Sequence, residues 1–195
     1  MRPTDNDNKS QSLAFWLDSL EEDPIVARVQ ESAAFRRLWG ISFLGALDYT
    51  WAGSGPEAWR TRACHSQSVA ALAAFVSTER GYTRDLKRHI VIAALLHDIG
   101  HAPLSHSVEP FFKEALGLGH HELGCMVLAG EHAMGEGLAN LLRRHCDVDL
   151  IQALMNGLAA DDFGGDLFSG HINIDTIDGI LRSHISLTKD RKSVV

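Results

Sequence analysis

The sequence has 195 residues, of which 45% are hydrophobic, and a formal net charge of −7 at pH 7. A chain of this size can bury one core without disulfides and is too short for two full domains. The acidic balance argues against duplex nucleic acid as a partner, because such binding needs clustered Lys and Arg. The longest apolar run, Ile90–Leu96, is far below the roughly 20 residues of a membrane span. We therefore expect a cytoplasmic protein that does not enter the membrane.

The chain is predicted to be helical apart from a tail and two breaks. Residues 1–11 are polar and have too few apolar groups to become ordered, so we expect a disordered tail and one domain over residues 12–195. Glycine-rich breaks are expected at Trp51–Trp59 and Asp161–Gly170. Elsewhere no stretch alternates like a strand, and apolar residues recur at helical spacing in eight segments: Ala33–Leu44, Ser66–Val76, Leu86–Leu96, Val108–Leu116, His121–Ala129, Leu138–Cys146, Leu150–Leu158 and Ile174–Leu187.

Polar residues at the ends of these segments support the helical prediction. Thr83 or Asp85 can cap the helix that runs through Leu96, and Asp147 or Asp149 can begin a later one. The three cysteines have no Cys-x-x-Cys spacing and are expected to be free thiols. The expected fold is all-α, a single-domain helical bundle.

Three histidines and a carboxylate follow directly where the most apolar helix stops. They are His97, Asp98, His101 and His106. A buried imidazole or carboxylate is costly unless it is paired, and a shared cation is a common way to pair several of them. Any one of these residues alone could equally belong to a solvated helix end, so the cluster rather than its members indicates a metal site.

A zincin-like site is the alternative metal site, because His97 and His101 have the i, i+4 spacing of the His-Glu-x-x-His motif. That site requires the helix to continue through both histidines. Gly100 and Pro103 oppose this continuation, and Asp98 stands where that motif has Glu. The sequence therefore favours a metal at the final helical turn, with other ligands coming from distant helices.

The composite His-Asp-x-Gly-His-x-Pro-x-Ser-His, preceded by Arg-x-x-His-Ser and followed by His-Glu, resembles the HD-domain superfamily of metal-dependent phosphohydrolases. More narrowly, it is similar to the deoxynucleoside triphosphate triphosphohydrolases. The resemblance extends over further segments of the chain: Asp23-Pro24-Ile25, Phe35-Arg36-Arg37-Leu38, Leu44-Gly45, Thr61 to Ser66 and Asn173 to Asp178.

The resemblance implies an HD-type helical domain and a set of site residues. One divalent ion, which could be Mn, Fe, Ni, Zn or Mg, would lower the pKa of a water that attacks phosphorus, and His121 or His101 would protonate the leaving oxygen. His120 and Glu122 are interpreted as bystanders or supporting residues. The implied roles are metal binding by His65, His97, Asp98 and Asp175, catalysis by His101, Glu109 and His121, and substrate binding or bracing by Arg62, His106 and Arg182.

The resemblance is weakest where the triphosphohydrolases hold their nucleotide. At four positions the residue types differ from that group. Phe43 replaces its Gln, Thr176 its Lys, Gly179 its Tyr and Ser183 its Asp. The chain also stops soon after Asp175. We therefore expect either a compact relative or a fragment that lacks a C-terminal extension.

We therefore predict a general phosphohydrolase that acts on a small phosphorylated substrate, a nucleotide above all, and that can associate as a homo-oligomer. The alternative is an HD domain with an altered site that serves as a metal-containing ligand sensor or scaffold, and a nucleic-acid-binding module ranks third.

Overall fold

The computed structural model describes residues 12–45, 60–131 and 133–191. The predicted tail and the predicted break at Trp51–Trp59 lie outside these residues. Within them the chain is all-helical, as predicted, and contains no β-strand, since Ser42 and Thr61 form only an isolated antiparallel bridge. The described α-helices are α1 Leu13–Ser19, α2 Pro24–Glu31, α3 Ala33–Arg36, α4 Arg62–Glu79, α5 Arg84–Leu96, α6 Glu109–Leu116, α7 His120–Ala129, α8 Glu136–His145, α9 Val148–Met155 and α10 Ile174–Arg191.

Helix α5 lies at the centre of the core. Every residue of Ile90–Leu96 is buried, as expected for a helix whose apolar residues cover its whole circumference. It packs against α4, α9 and α2, and α4 in turn packs against α1 and α10. The C-terminal end of α5 therefore delivers His97 and Asp98 into the interior, next to α4 and α10.

Side-chain caps begin the helices where the sequence predicts them. Thr83 accepts a hydrogen bond from the Leu86 N–H at 3.2 Å, and Asp147 accepts one from the Leu150 N–H at 3.1 Å. The Asp147 N–H also donates to Nε2 of the buried His89 at 2.8 Å, which fixes the start of α9 against α5.

Two sequence predictions of helix extent were wrong. Ala33–Leu44 is not one helix, because α3 passes into a short 3-10 helix, Arg37–Gly40, and the chain then becomes extended at Ile41 and pairs with Arg60 and Thr61. The helix predicted over Leu150–Leu158 ends at Met155, three residues earlier than expected.

Helices α1 and α2 were missed by the periodicity argument. Both are short, with 7 and 8 residues, and each begins at a side-chain cap. Asp23 caps α2 through the Ile25 N–H at 2.9 Å, directly before Pro24 at the first helical position. No described helix is long and apolar enough to cross a lipid bilayer.

Candidate metal centre

Three of the predicted ligands meet in the core. His65 lies in the first turns of α4, while His97 and Asp98 follow the last residue of α5. Nε2 of His97 lies 3.2 Å from Nε2 of His65, and Oδ2 of Asp98 lies 3.6 Å from the His97 nitrogen and 3.7 Å from the His65 nitrogen. The ligand atoms of these three side chains thus form a cluster within 4.8 Å.

The fourth predicted ligand, Asp175, comes from the first turn of α10. Its Oδ1 lies 2.9 Å from Nε2 of His65 and 3.6 Å from Nε2 of His97. Asn173 starts this helix by accepting the Thr176 N–H at 2.8 Å. The Asp175 side chain is 51% exposed, so the cluster opens to solvent on this side.

These separations fit a shared divalent cation. Ligand atoms about 2.1 Å from an ion stand about 3.0 Å apart in an octahedral arrangement and about 3.4 Å apart in a tetrahedral one. The separations given above between the cluster atoms range from 2.9 to 3.7 Å. Two imidazoles and two carboxylates suit Mn, Fe, Ni, Zn and Mg, so the donor set does not choose between them.

Both imidazoles are anchored through their other nitrogen. Nδ1 of His65 lies 2.6 Å from Oδ2 of Asp178, and Nδ1 of His97 lies 2.7 Å from the carbonyl of Ala94. Partners of this kind fix the tautomer of a metal-binding histidine and leave Nε2 for the ion. Asp178 was not among the predicted site residues, although its spacing of three from Asp175 places both on one helix face.

The charges of the cluster reinforce one another. Burial opposes ionisation of Asp98, but His97 and Arg62 hold its pKa well below the usual range. Burial also disfavours the charged form of His97, but Asp98 and Asp175 outweigh it and raise the pKa of His97 to about 9. The carboxylates of Asp98 and Asp175 therefore favour a positive charge between them.

The two predicted substrate-binding arginines make their described contacts within the protein. Arg62 is buried, with Nη1 2.5 Å from Oδ2 of Asp98 and Nη2 3.1 Å from the Phe43 carbonyl. Arg182 donates from Nε to Asp178 at 2.9 Å and from Nη2 to Ser68 at 3.0 Å. These contacts are those of bracing residues, and Arg62 also lines a cavity beside Asp175.

A second histidine cluster lies beside the first. Glu109 lies 3.0 Å from Nδ1 of His106 through Oε2 and 2.7 Å from Nδ1 of His120 through Oε1. His101 completes the group, with ligand atoms within 4.8 Å of the other two histidines. However, the rings of His101 and His120 are stacked at 4.1 Å with only 13° between their planes. An ion cannot lie in the plane of both rings, so this arrangement does not suit a second shared ion.

His101 and His121, which the resemblance implied to be catalytic, lie in different surroundings. His101 is 1% exposed, its Nε2 lies 3.2 Å from Oδ1 of Asp98, and burial lowers its pKa to about 4 despite that carboxylate. His121 does not contact Glu109 in any described hydrogen bond; it lines a cavity of about 510 Å³ together with His97 and Asp175. We call this the His121 cavity.

A second cavity, of about 680 Å³, also has Asp175 in its lining. Arg62, Asp98, His106 and His120 contribute to its lining. All four positions at which the sequence departs from the triphosphohydrolase pattern also line it: Phe43, Thr176, Gly179 and Ser183. We call it the Phe43 cavity. The four departures from the triphosphohydrolase pattern therefore alter the wall of a single cavity.

Two residues that position the site were not recognised in the sequence. Arg37 donates to the carbonyls of Ile99 and His101 and so holds the loop after the His-Asp pair. Gly100 was interpreted as a helix terminator, but a Cβ there would lie 1.9 Å from the His120 carbonyl oxygen. Only glycine lets the start of α7 approach this loop.

Comparison with known families agrees with this geometry. The sequence profile of the HD domain matches residues 62–166 of the chain. The chain belongs to the HD-domain family. The match contains His65, His97 and Asp98 and ends before Asp175 and Asp178, which reach the site through α10.

Individual relatives match this HD-domain chain over part of their length. A deoxyguanosinetriphosphate triphosphohydrolase-like protein of Neorickettsia sennetsu is 30% identical over 164 residues, covering 79% of this chain and 36% of that protein. A protein of the same description from Corynebacterium diphtheriae is 40% identical over 89 residues, covering 45% of this chain and 19% of its own length. The chain thus spans about a fifth to about a third of these relatives.

A solved structure shares the fold. The crystal structure of a phosphohydrolase from Bacteroides thetaiotaomicron superposes with a TM-score of 0.60 at 23% identity, covering 84% of this chain and 40% of that one. The predicted HD-type fold is confirmed.

Proposed function

We propose that this HD domain is a metal-dependent phosphohydrolase that cleaves a phosphoester or phosphoanhydride bond, with a nucleotide as the substrate class. One observation carries the proposal: the side chains of His65, His97, Asp98 and Asp175 converge, and Asp175 lines two cavities that also contain His97 or Asp98. A phosphate in either cavity can therefore approach an ion held by these four ligands.

The protein's own groups supply orientation and protons. A divalent ion, when bound, supplies a Lewis acid that polarises a phosphoryl oxygen and lowers the pKa of water. Arg62 holds Asp98, and Asp178 holds His65, so both ligands are oriented in advance. His101 is buried against Asp98 and orients it, which leaves His121 in one cavity and His106 in the other as candidate proton donors.

The nucleotide assignment is supported by the relatives named as triphosphohydrolase-like proteins. The changed wall of the Phe43 cavity argues that the phosphate chain and sugar are held differently here. Thr176 offers no cation and Gly179 no ring at the places where the triphosphohydrolases carry Lys and Tyr. The proposal therefore covers nucleotides in general and other phosphoesters.

Product identification tests the proposal. The metal-loaded protein and its Asp98→Ala variant are incubated with a panel of nucleotides and simple phosphoesters, and the products are separated by chromatography. Wild-type turnover that is lost together with bound metal in the variant supports the proposal. Triphosphate release would indicate a triphosphohydrolase, and monophosphate release a phosphatase or nucleotidase.

The alternative, a ligand sensor or scaffold, is favoured by the changed wall of the Phe43 cavity alone. It predicts tight metal binding without turnover of any substrate in the panel. That result would overturn the enzymatic proposal while leaving the metal site intact.

A further inference from the structure

A cavity of about 320 Å³ lies beside the first turns of α5, whereas the metal ligands His97 and Asp98 follow the last residue of that helix. The end of α1, the 3-10 helix Leu20–Glu22 and the start of α2 also contribute to its walls. The 13 residues of α5 span about 20 Å, so this cavity is separate from the two at Asp175. Its volume lies at the lower end of the range for small-molecule sites, roughly 300–1,000 Å³. We call it the Lys87 cavity.

The lining of the Lys87 cavity combines two kinds of side chain. Four buried aliphatic residues contribute to it: Leu20, Val26, Ala74 and Val91. Three basic residues of α5 do so as well: Arg84, Lys87 and Arg88. The basic residues lie on one face of the helix, because positions i, i+3 and i+4 are neighbours on its surface. Arg84 is exposed, so the cavity offers apolar surface inside and positive charge toward solvent.

Arg88 is already paired with a carboxylate of the same cavity. Its Nε donates to Oδ2 of Asp23 at 2.8 Å, and the two side chains are only 20% and 17% exposed. Lys87 has different surroundings, since its Nζ donates to the Thr78 hydroxyl at 2.8 Å and lies 5.1 Å from the centre of the Trp16 ring. A neutral hydroxyl and an aromatic face orient this ammonium group without neutralising it.

The positive charges of Arg84 and Lys87 are incompletely balanced. Within the described residues, neither forms an ion pair with a carboxylate. Burial lowers the pKa of Lys87, and the exposed Glu22, which also lines the cavity, opposes this effect only in part. Arg84 is the first residue of α5, where the helix dipole already has its positive end. Glu22 can offset one of these two charges, so the cavity favours an anion with a single negative charge.

We propose that the Lys87 cavity binds a small organic carboxylate that carries an apolar group. The carboxylate accepts hydrogen bonds from the guanidinium of Arg84 and the ammonium of Lys87, and the apolar group packs against Val26 and Val91. A guanidinium presents paired donors that match the two oxygens of a carboxylate. Burial of the apolar group adds a hydrophobic contribution that a bare inorganic anion lacks. This site does not depend on the proposed phosphohydrolase function.

Saturation-transfer NMR with three probes tests the proposal. Phenylacetate carries both the charge and the ring, acetate lacks the ring, and phenylacetamide lacks the charge. We expect phenylacetate to bind with a dissociation constant on the order of 1 mM. The other two probes should bind at least about tenfold more weakly, because each lacks one of the two favourable contributions.

Matched variants locate the bound probe. Arg84→Gln and Lys87→Met each remove one positive charge and keep an unbranched side chain. Each should weaken phenylacetate binding at least about fivefold, a charge-assisted hydrogen bond discounted for solvent screening. Because Arg84 is exposed, its variant tests the site even if Lys87→Met disturbs the packing against Trp16. Arg144→Gln, at an exposed position of α8, is the control and should bind like wild type.

A carboxylate can also bind a metal ion, so the titrations are run on metal-loaded and on metal-free wild type. Equal affinity in both forms supports binding in the Lys87 cavity. Binding that requires the metal would place phenylacetate at the metal centre and overturn the proposal. It would also be overturned by unchanged affinity in either variant, by equal binding of acetate or phenylacetamide, or by no binding of phenylacetate at millimolar concentration.

Discussion

The metal cluster and the wall of the Phe43 cavity are built in opposite ways. The ligands His65, His97 and Asp98 are set by the two long central helices, and each imidazole has a partner for its second nitrogen. The wall is formed by Phe43, on the segment that pairs with Arg60, and by half-buried residues of α10. Of the wall residues, Phe43 packs against the ring of His65, with 4.5 Å between the ring centroids. Under the proposed function, the buried cluster sets the chemistry and the partly exposed wall sets the choice of substrate.

The largest effect is expected at Asp178, the residue outside the cluster that holds His65. Asp178→Asn replaces the carboxylate that fixes Nδ1 of His65 by a neutral amide. Metal affinity should therefore fall about 10- to 100-fold. Competition with a chromophoric chelator measures the dissociation constant. Asp162→Asn, an exposed acid outside the cluster, is the control. Unchanged affinity would show that the cluster is held without Asp178.

A smaller effect, on KM and not on metal content, is expected from a substitution in the wall of the Phe43 cavity. Thr176→Lys adds a cation to the Phe43 cavity, and KM for a nucleoside triphosphate should fall about threefold to tenfold, since hydrogen bonds to charged groups contribute about 1.5–3 kcal/mol before solvent screening. Thr176→Met is the uncharged control of similar length. Metal content, measured by mass spectrometry, should match wild type in both. Loss of metal in either variant would mean that wall and cluster are not independent.

The smallest effect on metal binding and turnover is expected far from both regions, at the cap of α2. Asp23→Ala removes the cap and the 2.8 Å ion pair with Arg88, which should lower the free energy of unfolding by about 1–2 kcal/mol at pH 7. Burial raises the pKa of Asp23, but the Ile25 N–H and Arg88 outweigh it, so the pKa in the folded protein is lowered.

The direction of this shift predicts the pH dependence. The stabilisation is fully present above the unfolded value near pH 3.9 and is lost as the pH falls through the lower folded value. Urea unfolding at pH 7 and pH 3 should therefore show a smaller difference between wild type and Asp23→Ala at the lower pH. Asp18→Ala, an exposed acid of α1, is the control. An equal difference at both pH values would contradict the prediction.

Local sequence signals predicted most of the long helices and several of their ends. The apolar run Ile90–Leu96 and the caps Thr83 and Asp147 act within one helix, so they are visible without tertiary structure. The extent of Ala33–Leu44 was wrong because its second half pairs with Arg60 and Thr61, a contact between segments that periodicity does not reveal.

The sequence by itself determined the HD-domain family and the residue types of the metal cluster, because His-Asp at the end of a buried helix is a local pattern. Only the tertiary structure decided that Asp178 braces His65, that Glu109 contacts His120 rather than His121, and that the changed wall positions share one cavity. The reason is that these partners lie on different elements, and the approach of α7, α10 and the Phe43 segment to α4 and α5 depends on packing of the whole core.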